Sequence, residues 1–355
     1  MSSIDHLPGI HSSYVKTKRL KMHLLSAGER SNPAILFLHG NASASTIWEE
    51  LMLELSDEYY CLAPDLRGYG QTDSSKIIDA TRGAMDWVDD ISALTEELHL
   101  DSFKLVGHSL GGWICWSLIP ELYQKIDTVC LMAPGPPYGF GGIHGKTGEP
   151  NNPDYSGSGA GVVNDKFVQE LKAQNRENDD SLFSPRNVMN RLYWKEGFKA
   201  EREEEILSAM LQIHLDEHQY PGDHTQSKYW PHVAPGKFGP VNALSPKYNK
   251  KVLEKFISIP EKPPILWIHG NDDHIIADES YSDPGFQGKA DLRENWPGEE
   301  TFPPQPMITQ ISYALVQYAR SGGKVEKLFV DNSGHTPFLE RPAITLKTLR
   351  TFFKA

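Results

Sequence analysis

The stretch "VGHSLGGW", residues 106–113, decides the fold because it places a serine between glycines at the end of an apolar run. The run before it is typical of a buried strand, and apolar residues recur at helical spacing from Leu110 onward. A G-x-S-x-G pattern between a strand and a helix predicts a sharp turn that exposes the hydroxyl of Ser109. The helix N-terminus would add backbone N–H groups and a partial positive charge beside that hydroxyl.

Similar apolar runs recur along the chain, and most are followed by a helical pattern. This rhythm predicts an α/β fold, with a mostly parallel, doubly wound sheet that is covered by helices. The predicted parallel strands are "AILFLHG" (34–40), "YYCLAPD" (59–65), "FKLVGHS" (103–109), "TVCLMAP" (128–134), "ILWIHG" (265–270) and "KLFVDNSGH" (327–335). The run "LKMHLLSAG" (20–28) predicts an antiparallel strand at the edge of the sheet.

The alternation of strand-like runs and helical patterns stops after "LMAPGP". The segment before the next predicted strand is far longer than an ordinary connection between a strand and a helix. We therefore predict a core of residues 1–134 and 260–355 with a mainly helical cap or lid inserted at 135–259. Helices are expected in this cap around 164–176 and 199–219. A second insertion, 278–306, precedes the helical stretch that begins at Met307.

Composition narrows the class of protein. The 355 residues contain 35 Lys and Arg against 47 Asp and Glu, and this net charge of −12 disfavours nucleic acid or an anionic membrane as a partner. No segment approaches the roughly 20 apolar residues of a membrane span, so we expect a cytoplasmic protein. Cys61, Cys115 and Cys130 lie in apolar stretches and are interpreted as small buried residues. A homodimer is compatible with these features.

A serine hydroxyl needs a base and an orienting carboxylate before it can act as a nucleophile. The third residue after Gly270 is Asp273, and Asp272 beside it is the alternative acid. His335 follows the last predicted strand. Ser109, Asp273 and His335 therefore follow three strands of one sheet, at the edge where open α/β folds place their sites.

An oxyanion hole is the fourth component that acyl transfer requires. The backbone N–H of Asn41, which follows "LHG", and that of Leu110, directly after the serine, are the predicted donors. Gly40 lets the chain turn there without a side chain that would block the pocket.

Each of these residues also has a purely structural interpretation. Ser109 could cap a helix, Asp273 could stabilise a turn and His335 could be a buried structural histidine. Their joint occurrence at three strand ends, in the order that this topology requires, favours catalysis. The pattern "HLDEH" (214–218) resembles the zinc motif H-x-x-E-H, but we interpret it as an ordinary exposed helix face and predict no metal.

The motifs "LHGN", "DLRGYGQTD", "GHSLGG", "GNDD" and "GHTPFLERP" resemble those of the α/β-hydrolase fold family. The resemblance implies hydrolysis through Ser109, His335 and Asp273 without a metal or an organic cofactor. Haloalkane dehalogenases and epoxide hydrolases of this family have an aspartate where this chain has Ser109, which argues against both activities. The resemblance therefore implies transfer of an acyl group to water.

The expected substrate is a small-molecule carboxylic ester or lactone. Aromatic residues in the cap suggest a bulky aromatic or macrocyclic lactone, although they could equally form the cap's own core. A C–C bond or amide hydrolase with the same triad, or a ligand receptor on a hydrolase fold, remains the alternative. The aromatic residues in question are Tyr193 and Trp194 of "RLYW" (191–194), Phe198, Tyr220, Tyr229, Trp230 and Phe238.

Overall fold

An eight-stranded sheet forms the centre of the protein in the computed structural model, which describes residues 4–177 and 181–354. The strands of the chain are β1 (His11–Lys16), β2 (Lys21–Ala27), β3 (Ala34–Leu38), β4 (Tyr60–Pro64), β5 (Phe103–His108), β6 (Ile126–Met132), β7 (Ile143–His144), β8 (Glu149–Pro150), β9 (His224–Gln226), β10 (Val233–Pro235), β11 (Ile265–Gly270) and β12 (Val325–Val330). The central sheet has the order β1-β2-β4-β3-β5-β6-β11-β12. Neighbours from β4 to β12 run parallel, which confirms the predicted sheet.

Burial explains why three of the parallel strands could be recognised in the sequence. Every residue of β3, β5 and β11 is buried, so these strands are apolar with little alternation. The run at 20–28 does form the antiparallel strand β2, but β2 is not the edge of the sheet. The edge is β1, whose sequence "HSSYVK" is mostly exposed and pairs with a single neighbour, so it lacks an apolar signal.

Helices flank the sheet and follow its strands. They are α1 (Glu49–Leu55), α2 (Met85–Glu97), α3 (Leu110–Leu122), α4 (Asp165–Lys172), α5 (Pro185–Leu192), α6 (Glu203–Leu211), α7 (Pro240–Ala243), α8 (Val252–Ser258), α9 (Pro284–Lys289), α10 (Met307–Arg320), α11 (Pro337–Glu340) and α12 (Pro342–Lys354). Short 3-10 turns are formed by Ser45–Trp48, Ala80–Arg82, Ala160–Val162 and Pro246–Tyr248. None of the helices in the described ranges is long and apolar enough to cross a bilayer.

The described part of the segment between β6 and β11 adds no strand to the central sheet. It contains α4 to α8 and two small two-stranded sheets, β7-β8 and β9-β10. The helix predicted around 164–176 corresponds to α4. The sequence analysis did not predict α5, although Ser184 caps it and Pro185 occupies its first position, which are typical signals of a helix start.

The second helix predicted in this segment, around 199–219, is too long. The helix α6 ends at Leu211, and the pattern at 214–218 is not helical. His214 instead makes hydrogen bonds outside its own segment: its backbone N–H donates to the carbonyl of Gly68 at 3.1 Å, and its Nε2 lies 3.1 Å from the carbonyl oxygen of Gly70. These tertiary contacts replace the helical hydrogen bonds that spacing alone suggested.

Candidate active site

Three loops at one edge of the sheet carry the side chains that the sequence singled out. Ser109 follows β5, Asp273 follows β11, and His335 lies in the loop between β12 and α11. Because these strands are parallel, their carboxyl ends lie at the same edge, and β6 alone separates β5 from β11. The structure therefore brings together residues that are up to 226 positions apart in the chain.

Ser109 occupies a strained turn between β5 and α3. Its φ of 54° and ψ of −114° are rare for a residue with a side chain, and such conformations are typical of functional sites. Hydrogen bonds on both sides maintain the turn: the Ser109 N–H donates to the Met132 carbonyl at 3.1 Å, and the Gly135 N–H donates to the Ser109 carbonyl at 3.0 Å. A Cβ at Gly111 would lie 2.2 Å from the Leu38 carbonyl oxygen, so only glycine allows α3 to begin this close to β3.

His335 and Asp273 form a buried pair. The Nδ1 of His335 lies 2.8 Å from Oδ2 of Asp273, and both side chains are almost completely buried. The other oxygen, Oδ1, accepts hydrogen bonds from the N–H groups of Ile275 (2.8 Å) and Ile276 (3.0 Å). Burial alone would raise the pKa of Asp273, but His335 and His269 outweigh it and hold that pKa well below its usual range. Asp273 is therefore a carboxylate that keeps the Nδ1 proton on His335.

The alternative acid, Asp272, faces away from this pair. Its side chain is more than a third exposed, and Oδ2 lies 3.1 Å from Nζ of Lys195. Two adjacent aspartates in one turn thus point to different partners.

His269 is a second histidine on the same carboxylate, and the sequence analysis did not identify it. Its Nε2 lies 3.0 Å from the Ile276 carbonyl oxygen and 3.3 Å from Oδ2 of Asp273. Because a carbonyl can only accept, Nε2 carries the proton and also points it toward the carboxylate. His269 therefore helps to fix the orientation of Asp273.

His108 contacts both the backbone carbonyl and the ring of His335. Its Nε2 donates to the His335 carbonyl at 2.8 Å, and the two ring centres lie 4.6 Å apart. Burial lowers the pKa of His108 well below its usual value, and the adjacent His335 lowers it further. His108 is thus a neutral imidazole that positions the backbone of His335.

Glu340 holds the loop that carries His335, and sequence reasoning missed this role as well. Its buried carboxylate accepts hydrogen bonds from the N–H groups of Gly334 (2.8 and 2.9 Å), Thr336 (3.2 Å) and Lys195 (2.7 Å). The first two donors flank His335 in the chain, whereas Lys195 belongs to the segment between β6 and β11. One carboxylate therefore connects the histidine loop to that segment.

The proposed oxyanion donors lie on the wall of the same cavity as the serine. Asn41, Leu110 and Ser109 all line it. Leu110 is the first residue of α3, so its N–H has no partner within the helix. A Cβ at Gly40 would lie 3.0 Å from the Cβ of Ser109, so a larger residue would require Ser109 to shift.

Two buried tyrosines hold the loop of Asn41. The hydroxyl of Tyr69 donates to Oδ1 of Asn41 at 2.7 Å, and that of Tyr193 donates to the carbonyl of Ala42 at 2.5 Å. Burial raises the pKa of both tyrosines, so both hydroxyls remain protonated donors. Tyr193 also gives the segment between β6 and β11 a contact with this loop.

The cavity has a volume of about 680 Å³ and contains both Ser109 and His335 in its wall. Of the aromatic residues noted in the sequence, Tyr193 and Tyr220 line it, whereas Trp194, Phe198, Tyr229, Trp230 and Phe238 do not. The other aromatic lining residues are Trp113, Phe140, Phe167, Phe183 and Tyr281. The wall is therefore largely apolar and aromatic, but mostly not through the residues that the sequence suggested.

Within residues 4–177 and 181–354, no group of three or more His, Cys, Asp or Glu side chains is arranged to hold a metal ion. In the pattern at 214–218, the ring of His218 packs against that of Phe238 at 4.3 Å. Cys61, Cys115 and Cys130 are buried free thiols, as the sequence predicted.

Comparison with known proteins gives both a family and a set of structural neighbours. The family model described as "alpha/beta hydrolase fold" matches residues 33–294. Human epoxide hydrolase 4 is 34% identical over 124 residues, which is 34% of this chain and 34% of that protein, so the match spans about a third of this curated relative.

Two solved structures resemble nearly the whole chain. Carboxylesterase CesB from Bacillus subtilis has a TM-score of 0.56 at 15% identity and covers 97% of this chain and 91% of its own. The 2-hydroxy-6-oxo-6-phenylhexa-2,4-dienoate hydrolase from Rhodococcus sp. strain RHA1 has a TM-score of 0.56 at 19% identity and covers 98% and 99%. At these identities the likeness shows the fold alone.

Proposed function

Because the chain belongs to the α/β-hydrolase fold family, we propose that it is a serine hydrolase that cleaves a carboxylic ester or a lactone. The observation that carries the proposal is the contact of 2.8 Å between His335 and Asp273, made by a histidine that lines the same cavity as Ser109. A histidine held through Nδ1 presents Nε2 as a base, which is what a serine nucleophile requires.

In the proposed reaction, Oγ of Ser109 attacks the ester carbonyl and transfers its proton to Nε2 of His335. The N–H groups of Asn41 and Leu110 stabilise the charge on the carbonyl oxygen. The bond to the leaving alcohol breaks, and the alcohol receives the proton from His335. Water, activated by the same base, then cleaves the acyl-enzyme and restores the serine.

We further propose that residues 135–259 act as a cap that shapes the substrate pocket. Residues of this segment, including Phe140, Phe167, Tyr193 and Tyr220, supply much of the aromatic wall. A cavity of about 680 Å³ with such a wall suits a bulky acyl or lactone group.

Other hydrolases of the same fold define the competing proposals. Epoxide opening is suggested by the name of the human relative, but this chain has a serine rather than a carboxylate after β5. Cleavage of a C–C bond would use the same three residues, so styrene oxide and a vinylogous diketone belong in the substrate panel beside esters.

The test compares initial rates of p-nitrophenyl ester hydrolysis for the wild type and Ser109→Ala. A matched control exists because a second hydrogen-bonded series of a serine, a histidine and an aspartate lies outside the cavity. Oγ of Ser12 is 2.8 Å from Nε2 of His23, and Nδ1 of His23 is 2.7 Å from Oδ2 of Asp65. Ser12→Ala therefore makes the same substitution in a Ser-His-Asp arrangement without touching the proposed nucleophile.

We expect Ser109→Ala to lower kcat by roughly a thousandfold or more, as removal of a triad member does, and Ser12→Ala to leave kcat unchanged. Circular dichroism would establish that both variants are folded. A folded Ser109→Ala protein that retains more than a tenth of the wild-type rate would contradict the proposal. So would a wild type that hydrolyses the epoxide or the diketone but no ester.

A further inference from the structure

The charges on the cavity wall have one sign. Arg191 and Arg293 line the cavity, whereas none of the described lining residues is an aspartate or a glutamate. This is unexpected in a chain with a net charge of −12.

Arg293 is a half-buried guanidinium whose partners are neutral. Its Nε donates to Oε1 of Gln287 at 3.1 Å, and one Nη donates to the Val162 carbonyl at 3.3 Å. No carboxylate of the described residues lies within 4 Å of the guanidinium, so Arg293 forms no ion pair there. Both partners also line the cavity, which places the guanidinium at its wall.

The acidic group that acts on Arg293 is Asp283, and only one of its two oxygens accepts hydrogen bonds from the described residues. One oxygen of Asp283 accepts hydrogen bonds from the N–H groups of Phe286 (2.9 Å) and Gln305 (3.2 Å). Burial raises the pKa of Asp283 to about 6, so this group is mostly a carboxylate at pH 7, but it forms no ion pair with the guanidinium of Arg293. A cation that is half desolvated and without an ion pair favours an anionic ligand.

Arg191 lies on α5 and is exposed. Within the described residues it makes neither a hydrogen bond nor an ion pair. Another arginine of the same helix shows the contrast, since Arg186 forms ion pairs with Glu203 and Glu204 at 2.5 Å each. Arg186 therefore stabilises α5 and α6, while Arg191 remains available to a ligand.

We propose that the cavity selects esters that carry a second, anionic group, of which a carboxylate is the simplest, and that Arg293 and Arg191 bind this group. A guanidinium suits the role because its planar N–H groups match the two oxygens of a carboxylate. This inference rests on the proposed ester hydrolysis for its chemistry. It adds the substrate class: monoesters of dicarboxylic acids, or esters with a charged leaving group.

The test uses two p-nitrophenyl esters of similar length, the hexanoate and the mono-adipate, which differ by a terminal carboxylate. Rates are measured for the wild type, Arg293→Gln and Arg293→Lys, with uncatalysed hydrolysis subtracted. Arg320→Gln is the control, because this exposed residue ends α10, does not line the cavity and changes the net charge equally.

We expect the wild type to prefer the adipate ester, and Arg293→Gln to lower the ratio of the two kcat/KM values by about tenfold, as for a lost charge-assisted hydrogen bond. The loss should lie mainly in KM, Arg293→Lys should restore part of it, and Arg320→Gln should not change the ratio. A wild type that prefers the hexanoate ester, or a ratio unaffected by Arg293→Gln, would overturn the inference while leaving ester hydrolysis intact.

A binding measurement distinguishes failure of the proposed anion site from failure of the proposed ester hydrolysis. Calorimetric titration of Ser109→Ala with adipate and with hexanoate needs no turnover. Tighter binding of adipate that depends on Arg293 supports the anion site even if neither ester is hydrolysed. Equal binding of the two acids refutes it.

Discussion

The carboxylate of Glu340 holds the His335 loop, and its replacement by glutamine gives a sharp test of the site. Oε1 accepts from the N–H groups of Lys195 and Gly334, and Oε2 accepts from those of Gly334 and Thr336. The hydroxyl of Ser333 adds a contact of 3.2 Å to Oε2. Every one of these groups can act as a donor, so the pocket around Glu340 is built for an acceptor.

The magnitude follows from the geometry of a glutamine in this pocket. The N–H of Gly334 contacts both carboxylate oxygens of Glu340. It would therefore still face the oxygen of a glutamine amide in either orientation of that amide. The new NH₂ group, however, must face the N–H of either Lys195 or Thr336. One buried backbone N–H therefore loses its acceptor and the charge assistance disappears, which together destabilise the fold by about 3 kcal/mol.

The assay combines urea unfolding with ester hydrolysis. The control is Glu326→Gln, which makes the same chemical change at an exposed position of β12. We expect Glu340→Gln to lower the urea midpoint and also to reduce kcat under conditions where the protein is fully folded, because the loop flanking His335 loses its anchor. If Glu340→Gln unfolds within about 0.5 kcal/mol of the control, a range typical of surface substitutions, the reasoning is wrong.

Two further predictions follow from close contacts and from burial. Gly40→Ala should lower kcat at least tenfold with little change in the urea midpoint, because its Cβ would lie 3.0 Å from the Cβ of Ser109 and 3.1 Å from Nδ1 of His108; a wild-type kcat would contradict this. Burial raises the pKa of Asp283 from 3.8 to about 6, so the folded state retains a proton that the unfolded state releases, and stability should fall by ~3 kcal/mol as the pH rises from about 4 to about 6. Asp283→Asn should abolish this fall in urea titrations at pH 4.5 and 7, and an unchanged pH dependence would refute the assignment.

The fold was predictable from sequence wherever burial dictated residue type. The strands β3, β5 and β11 are buried throughout, so their apolar runs identified them. The strand β1 escaped notice because an exposed edge strand carries polar residues. The end of α6 was predicted too late in the sequence. His214 makes its hydrogen bonds to Gly68 and Gly70, which are distant in the sequence, instead of continuing the helix.

The candidate site was also predictable only where local sequence marks its residues. Ser109, Asp273 and His335 each follow a recognisable strand, and local signals were enough to single them out. His269 contacts Asp273 and Ile276, only four and seven positions away, but no motif in the sequence marks these contacts. Glu340 also accepts a hydrogen bond from Lys195, which lies 145 positions away and which only the folded chain brings near. The charges of the cavity wall come from Arg191 and Arg293, which no periodicity distinguishes from surface residues.

The hydrogen bonds that join Tyr193 and Lys195 to the loop of Asn41 and to the loop and helix around His335 limit how this protein could be re-engineered. The hydroxyl of Thr336, next to His335, also donates to the carbonyl of Tyr193 at 2.9 Å. A chimera that exchanged residues 135–259 for the equivalent region of another family member would therefore disturb the reaction centre along with the pocket. Grafts that keep Gly135 and positions 193–195 and replace the other residues of the pocket wall should therefore preserve more turnover than exchange of the whole segment.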